Sequence, residues 1–122
     1  MNIPKIPEGE YRFCLIMWEH EPVTTARLVK LCYEQLGWKR TTTYTVLKKL
    51  SERGIVQNVD STVTALVKRE QVQQYESEAV IDRAFGGSLP SFIAAFVSGR
   101  SLSEEDAQEI RDLIDQCRGK ES

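Results

Sequence analysis

Four polar side chains between residues 38 and 54 recur at the spacing of a single helical face. They are Thr41, Tyr44, Thr45 and Lys48, at positions i, i+3, i+4 and i+7. Hydroxyls and ammonium groups bond phosphate oxygens and the edges of bases. This face has no apolar stripe to bury, so the pattern favours a helix whose polar side meets nucleic acid.

The rest of the segment supplies the apolar side of the same helix and further positive charge. Thr43, Val46, Leu47 and Leu50 fall at helical spacing and are expected to face a core. Residues 39–54 include five Lys/Arg and one Glu. We expect groove-facing contacts from Thr41, Thr42, Tyr44, Thr45 and Lys48, and phosphate contacts from Lys39, Arg40 and Lys49. The alternative is a solvated surface helix, which is what most charged faces are.

Two preceding helices and a following hairpin would position this helix. The first is predicted over residues 8–19, with an apolar line of Tyr11, Cys14, Leu15 and Trp18. The second runs from Thr24 or Thr25 to about Leu36, and the third from Arg40 or Thr41 to Gly54. Runs of β-branched residues at 55–59 and 62–67 flank Asp60–Ser61 and predict a hairpin. The result is a winged helix-turn-helix, mainly α with a small β-hairpin, and this context favours DNA binding.

The second half of the chain predicts three more helices with more apolar surface than they can bury alone. They run from about residue 68 to 85, from Ser88 to Gly99, and onward from Ser103. We expect a symmetric homodimer that buries Leu89, Phe92, Ile93, Phe96, Ile110 and Ile114. The predicted domains are therefore residues 1–69, which bind DNA, and residues 70–122, which dimerise.

Charge and composition narrow the function further. Residues 1–69 carry 11 Lys/Arg and 7 Asp/Glu, a net +4, whereas residues 70–122 carry 5 and 11, a net −6. The opening residues lack the apolar segment of a signal peptide, and no apolar run is long enough to span a membrane, so we expect a cytoplasmic protein without membrane insertion.

Catalysis and metal binding find little support in the residue types. Cys14, Cys32 and Cys117 are widely spaced and lie among apolar residues, so we expect buried thiols. The single histidine, His20, has no partners at metal-ligand spacing. We therefore expect no metal, no cofactor and no enzymatic activity.

With these pieces in place, the chain resembles the penicillinase-repressor (BlaI/MecI/CopY) family over nearly its whole length. The resemblance rests on the order of several short motifs: IMWEH in the first helix, Trp38-x-x-x-Thr42-x-x-Thr45, Leu50-x-x-Arg53-Gly54-Ile55, FGGS at 85–88, FIAAFV, and SLSEEDAQEIRDLI. It implies a dimeric repressor of resistance operons that binds a palindromic operator.

The resemblance also implies a release mechanism. In the family, a membrane sensor with a metalloprotease domain triggers cleavage of the repressor in its dimerisation region, and the matching bond here is Ala95–Phe96. This chain has Ala95 where the antibiotic repressors have Asn, a wing without basic or aromatic residues, and one cysteine near its end where the copper-responsive branch has closely paired cysteines.

Two other functions remain open: a winged-helix adaptor that binds protein, and a regulator with a small-molecule pocket at Phe92 and Phe96.

Overall fold

The computed structural model describes residues 5–118, and its elements follow the predicted order with one additional strand. The helices are α1 Glu8–His20, α2 Thr25–Leu36, α3 Arg40–Glu52, α4 Arg69–Phe85, α5 Leu89–Val97 and α6 Glu104–Arg118. The strands are β1 Val23–Thr24, β2 Val56–Val59 and β3 Thr62–Ala65. The fold is therefore a winged helix-turn-helix followed by helices, as the sequence predicts.

The helix ends are set by the capping residues that the sequence indicates. Thr24 Oγ1 accepts a hydrogen bond of 3.2 Å from the backbone N–H of Arg27 and so caps α2. Gly37 ends α2 at φ 70°, a left-handed conformation that suits glycine. Ser88 and Ser103 cap α5 and α6 in the same way as Thr24, by accepting from backbone N–H groups three residues on.

The additional strand, β1, turns the hairpin into a three-stranded antiparallel sheet of order β1-β3-β2. Val23 pairs with Val63 and Thr24 with Thr62, and the N–H of Thr25 donates to the Ser61 carbonyl at 3.0 Å. A strand of two residues has no periodicity that sequence analysis could detect. It forms because the turn after α1 is brought beside β3.

The core lies among α1, α2, α3 and the sheet, and it corrects the predicted apolar line of α1. The buried residues of α1 are Phe13, Cys14, Ile16 and Met17. The other members of the predicted line, Tyr11, Leu15 and Trp18, are half-buried, and Tyr11 and Trp18 pack against the core. The reason is that α1 is apolar on most of its circumference, so spacing alone does not decide which side packs inward. Trp18 still anchors the fold, because its indole N–H donates to the Val67 carbonyl at 3.0 Å.

Two compact units divide the chain, Met1–Ser77 and Glu78–Ser122. The first contains the winged helix-turn-helix and its core. In the second, α5 and α6 have no buried residue among those that the structure describes. Across residues 5–118 no single helix is long and apolar enough to cross a membrane, although the bent pair α4 and α5 passes that test together.

The cysteines confirm the predicted burial at two positions and contradict it at the third. Cys14 and Cys32 are buried, whereas Cys117 is exposed near the end of α6. Cys117 lies in line with other apolar residues of α6, and within one chain the described residues cover that line only in part.

Candidate nucleic-acid interface

The outer side of α3 presents every residue of the predicted DNA contact set to solvent. The exposed side chains are Lys39, Arg40, Thr41, Thr42, Tyr44, Thr45, Lys48 and Lys49. The predicted core positions Thr43, Leu47 and Leu50 are buried, and Val46 is half-buried against the core. The helix is thus amphipathic in the predicted sense, with cations and hydroxyls on one side and the core on the other.

Local contacts already constrain three of these side chains. The Thr45 hydroxyl donates to the Thr41 carbonyl at 2.9 Å, so its oxygen remains available to accept a hydrogen bond. The Arg40 guanidinium lies 5.5 Å from the centre of the Tyr44 ring, within cation–π distance. In this geometry Thr45 can meet an amino group on a base edge.

Both ends of α3 are fixed to α1 and the segment before it. Trp38, two residues before the start of α3, stacks on Phe13 with ring centres 6.4 Å apart and planes 10° apart. After α3, an Arg53 Nη1 atom lies 3.3 Å from the Glu10 carboxylate, and Nη2 donates to the Lys5 carbonyl. These contacts set the angle at which α3 projects from the core.

The wing, which is the β2–β3 hairpin, stands beside the second half of α3. A groove of about 340 Å³ separates them, and we call it the α3–β2 groove. It is lined by Tyr44, Leu47, Lys48, Ser51 and Asn58. Sequence reasoning missed Ser51 and Asn58 as candidate site residues. The available clue was Asn58 itself, a polar residue two positions after Val56, where the alternation of a half-buried strand calls for an apolar one.

Burial makes two thiols beneath the interface poor acids. The pKa of Cys14 is raised to about 12, mainly by desolvation and then by the nearby Glu10 carboxylate, while Arg53 opposes the shift. Desolvation also raises the pKa of Cys32. The Thr43 hydroxyl lies beside Cys32, but no atom of residues 5–118 is placed to form a hydrogen bond with Thr43 Oγ1. Neither thiol is a nucleophile at neutral pH.

The predicted dimerisation residues all lie in α5 and α6, and none of them is buried within one chain. Leu89, Ile93, Phe96, Ile110, Leu113 and Ile114 are exposed, while Phe92 is half-buried between Phe85 and Phe96. Sequence reasoning left out Leu113, which is the most exposed of this set at 59%. The bond between Ala95 and Phe96 lies near the end of α5, and both residues are exposed.

The same residues 5–118 contain no cluster of three or more His, Cys, Asp or Glu side chains that is arranged to hold a metal ion.

Comparison with known proteins places this architecture in a family. The chain is 20% identical to a penicillinase repressor of Bacillus licheniformis, over 98% of this chain and 96% of that protein. It is 21% identical to the methicillin resistance regulatory protein MecI of Staphylococcus aureus, over 90% of this chain and 93% of that protein. A Staphylococcus aureus MarR structure in complex with salicylate and kanamycin aligns with 18% identity and a TM-score of 0.45, over 93% of this chain and 71% of that one, which is too distant to support a conclusion.

A model of the penicillinase repressor family matches residues 6–116, which span the winged helix-turn-helix and nearly all of the helices after it. The match confirms the resemblance that the motifs indicate. The chain belongs to the penicillinase repressor family, a family of transcriptional repressors.

Proposed function

We propose that this repressor binds a palindromic operator as a homodimer, with α3 in the major groove of each half-site. The observation that carries the proposal is the outer side of α3, where seven exposed cationic and hydroxyl-bearing residues, with Lys39 at the N-cap, stand opposite the buried Thr43, Leu47 and Leu50. In a helix-turn-helix the second helix of the motif enters the major groove and the first crosses the backbone. Here those helices are α3 and α2, joined by residues 37–39.

The proposal assigns DNA binding to residues 1–69 and dimerisation to residues 70–122. The exposed apolar surface of α5 and α6 supports a second copy as the occupant, because exposed apolar patches of this kind mark interaction sites. A two-fold dimer presents two copies of α3 to two half-sites, which matches a palindrome. The regulated genes are resistance genes of the kind named for the penicillinase and methicillin relatives, and the protein acts in the cytoplasm.

Release from DNA is proposed to follow cleavage of the Ala95–Phe96 bond by a membrane sensor metalloprotease system. The location of this bond supports the idea. α5 has nine residues and no buried side chain, so its last turn opens at little cost. Cleavage would separate part of the dimer surface from the DNA-binding region, and two half-sites bound independently are held far more weakly than two bound together.

Fluorescence anisotropy with duplex DNA tests the proposal. The purified protein is titrated with its own promoter and with a scrambled duplex at several salt concentrations. We expect two chains per promoter duplex, much tighter binding to the promoter, and a steep loss of affinity with salt. Equal binding to both duplexes would contradict operator recognition, and no binding to either at low salt would favour the protein adaptor.

A small-molecule regulator is a second candidate, because an open groove of about 400 Å³ between the start of α5 and α6 has an almost wholly apolar lining. Phe92 and Phe96, where the sequence predicts such a pocket, do not line this groove. The lining residues are Leu89, Ile110, Leu113, Ile114, Cys117 and Arg118. Most of them are also proposed dimer contacts, so a second copy would cover the groove. A thermal shift of the dimer with an apolar ligand would favour the pocket over the dimer surface.

A further inference from the structure

The wing contains a polar residue on its inner face that packing does not explain. In the β2–β3 ladder Val56 pairs with Ala65, and Asn58 pairs with Val63. Since alternate residues of a strand point to the same face, Asn58 shares the inner face with three buried residues. Asn58 itself is exposed. The inner face of β2 therefore ends in an exposed amide that lines the α3–β2 groove.

The surroundings of Asn58 are rich in hydrogen-bond donors. Across the α3–β2 groove stand the Lys48 ammonium and the Ser51 hydroxyl. Within residues 5–118 the structure shows no hydrogen bond or ion pair from the side chains of Lys48, Ser51 or Asn58. The groove lining holds one cation and, among the described residues, no carboxylate. Three side chains therefore offer unused donors around one space with a positive charge.

We infer that the α3–β2 groove binds one phosphodiester of the DNA backbone, with Lys48 supplying the charge and Ser51 and Asn58 supplying hydrogen bonds. This inference rests on the proposed function. A groove of about 340 Å³ has room for a phosphate group, since a water molecule in the liquid takes up only about 30 Å³. A single cation with neutral donors on either side suits a singly charged phosphodiester.

The inference changes the role of Lys48. The first residues of a recognition helix reach base edges, and Lys48 lies in the second half of α3 beside the wing. Lys48 is therefore a phosphate contact, whereas helical spacing alone grouped it with the groove-facing Thr41 and Thr45. The wing also contributes to DNA binding, through an amide rather than through a basic or aromatic side chain.

Two nearly isosteric substitutions in β2 provide a matched test. Asn58→Asp places a carboxylate inside the α3–β2 groove, and Gln57→Glu places one on the opposite face of the same strand. Both change the net charge equally. We expect Asn58→Asp to weaken binding to the promoter and to the scrambled duplex alike by at least about tenfold, because the carboxylate opposes the phosphate. Gln57→Glu is expected to change either affinity by less than about threefold, because solvent and salt screen a charge on the outer face from the DNA.

The salt dependence provides the second test. Lys48→Met removes the charge and keeps most of the side chain, so the slope of log affinity against log salt should fall by about 0.9 per half-site. The ratio of promoter to scrambled affinity should stay constant, because a phosphate carries no sequence information. Equal melting temperatures of the variants and the parent exclude a folding defect.

Different results separate this inference from the proposed function. If the parent protein binds the promoter but Asn58→Asp and Gln57→Glu bind equally, the phosphate site is wrong and operator binding stands. If Lys48→Met alters the promoter-to-scrambled ratio without changing the slope, Lys48 contacts a base and the inference is overturned. If the parent protein binds neither duplex, the operator proposal and this inference fail together.

Discussion

At the scale of single residues, the buried hydroxyl of Thr43 is a defect in an otherwise apolar contact. Thr43 Oγ1 is buried and has no hydrogen-bond partner among residues 5–118. Such a group costs its desolvation without compensation. We expect Thr43→Val, which keeps the shape, to raise the free energy of unfolding by about 1 kcal/mol in urea titrations. Thr43→Ser keeps the hydroxyl and loses a methyl group, so it should lower that free energy by about 1 kcal/mol.

If Thr43→Val is less stable than the parent, the Thr43 hydroxyl does form a hydrogen bond, and the neighbouring Cys32 thiol is its partner. The DNA affinity of both variants should match that of the parent, since Thr43 faces away from the exposed side of α3.

Thr45 is the residue on which the choice of operator is expected to depend. Its hydroxyl hydrogen is engaged by the Thr41 carbonyl, which leaves the oxygen to accept from the amino group of adenine or cytosine. We expect Thr45→Ala to lower the ratio of promoter to scrambled affinity by about tenfold, and Thr45→Ser to restore most of it. Competition binding with operators altered one base pair at a time measures this. An unchanged ratio in Thr45→Ala would show that no base contact exists there.

Cys14 links burial to the pH dependence of stability. Its pKa is raised from 9.0 to about 12, so the folded state keeps the thiol neutral while the unfolded state ionises above pH 9. The stabilisation from the neutral thiol is fully present below pH 9 and is lost as pH rises toward 12. We expect the free energy of unfolding to fall between pH 9 and 10.5, with a contribution from Cys14 that approaches about 1.4 kcal/mol per pH unit.

The slope with pH, rather than the stability itself, is the informative quantity. Cys14→Ala leaves a cavity and is less stable at every pH, but its slope above pH 9 should be shallower than that of the parent. Cys32, whose pKa is also raised, contributes in the same direction and remains in both proteins. Parallel curves for the two proteins would show that Cys14 ionises normally in the folded state.

At the scale of elements, the turn of the wing contains one residue, Ser61, that does not favour its conformation. Asp60 has φ 51° and Ser61 has φ 60°, so both central residues are left-handed. This is the type I′ geometry that a two-residue hairpin prefers, and glycine adopts it without strain. We expect Ser61→Gly to raise the free energy of unfolding by about 0.5 kcal/mol. The Ser61 carbonyl keeps its bond to Thr25, since that bond uses only backbone atoms.

Thr64→Gly is the control for this turn, because Thr64 lies in the extended strand β3. There glycine should lower the free energy of unfolding by about 1 kcal/mol. If both substitutions destabilise the protein equally, the left-handed conformation of Ser61 is not a source of strain.

At the scale of the whole molecule, the exposed apolar side of α6 is expected to hold two chains together. Ile110, Leu113 and Ile114 are 39–59% exposed. Burying a charge in such a contact costs more than the contact contributes. We expect Ile114→Glu to convert a dimer into a monomer in sedimentation equilibrium and to lose the cooperative binding of two half-sites. Gln116→Glu adds the same charge on a different side of α6 and should remain dimeric; a monomeric Gln116→Glu, or a dimeric Ile114→Glu, would contradict the proposed surface.

Many of the helix boundaries were predictable because they depend on local chemistry. Thr24, Gly37, Ser88 and Ser103 end or begin helices through contacts within a few residues, and all four positions are confirmed. The amphipathic division of α3 was predictable because its polar and apolar positions separate cleanly at helical spacing. The inward side of α1 was not, since α1 is apolar around most of its surface and only packing against α2 and the sheet selects Phe13, Ile16 and Met17.

The sequence by itself determined the order of the elements, the exposed side of α3 and the family. These follow from periodicity, capping and short motifs, all of which are local properties of the chain. Only the tertiary structure decided that Val23–Thr24 joins the sheet and that Asn58 faces Lys48 and Ser51 across the α3–β2 groove. Such neighbours are far apart in sequence, and the register of β2 with β3 and the packing of the wing beside α3 bring them together.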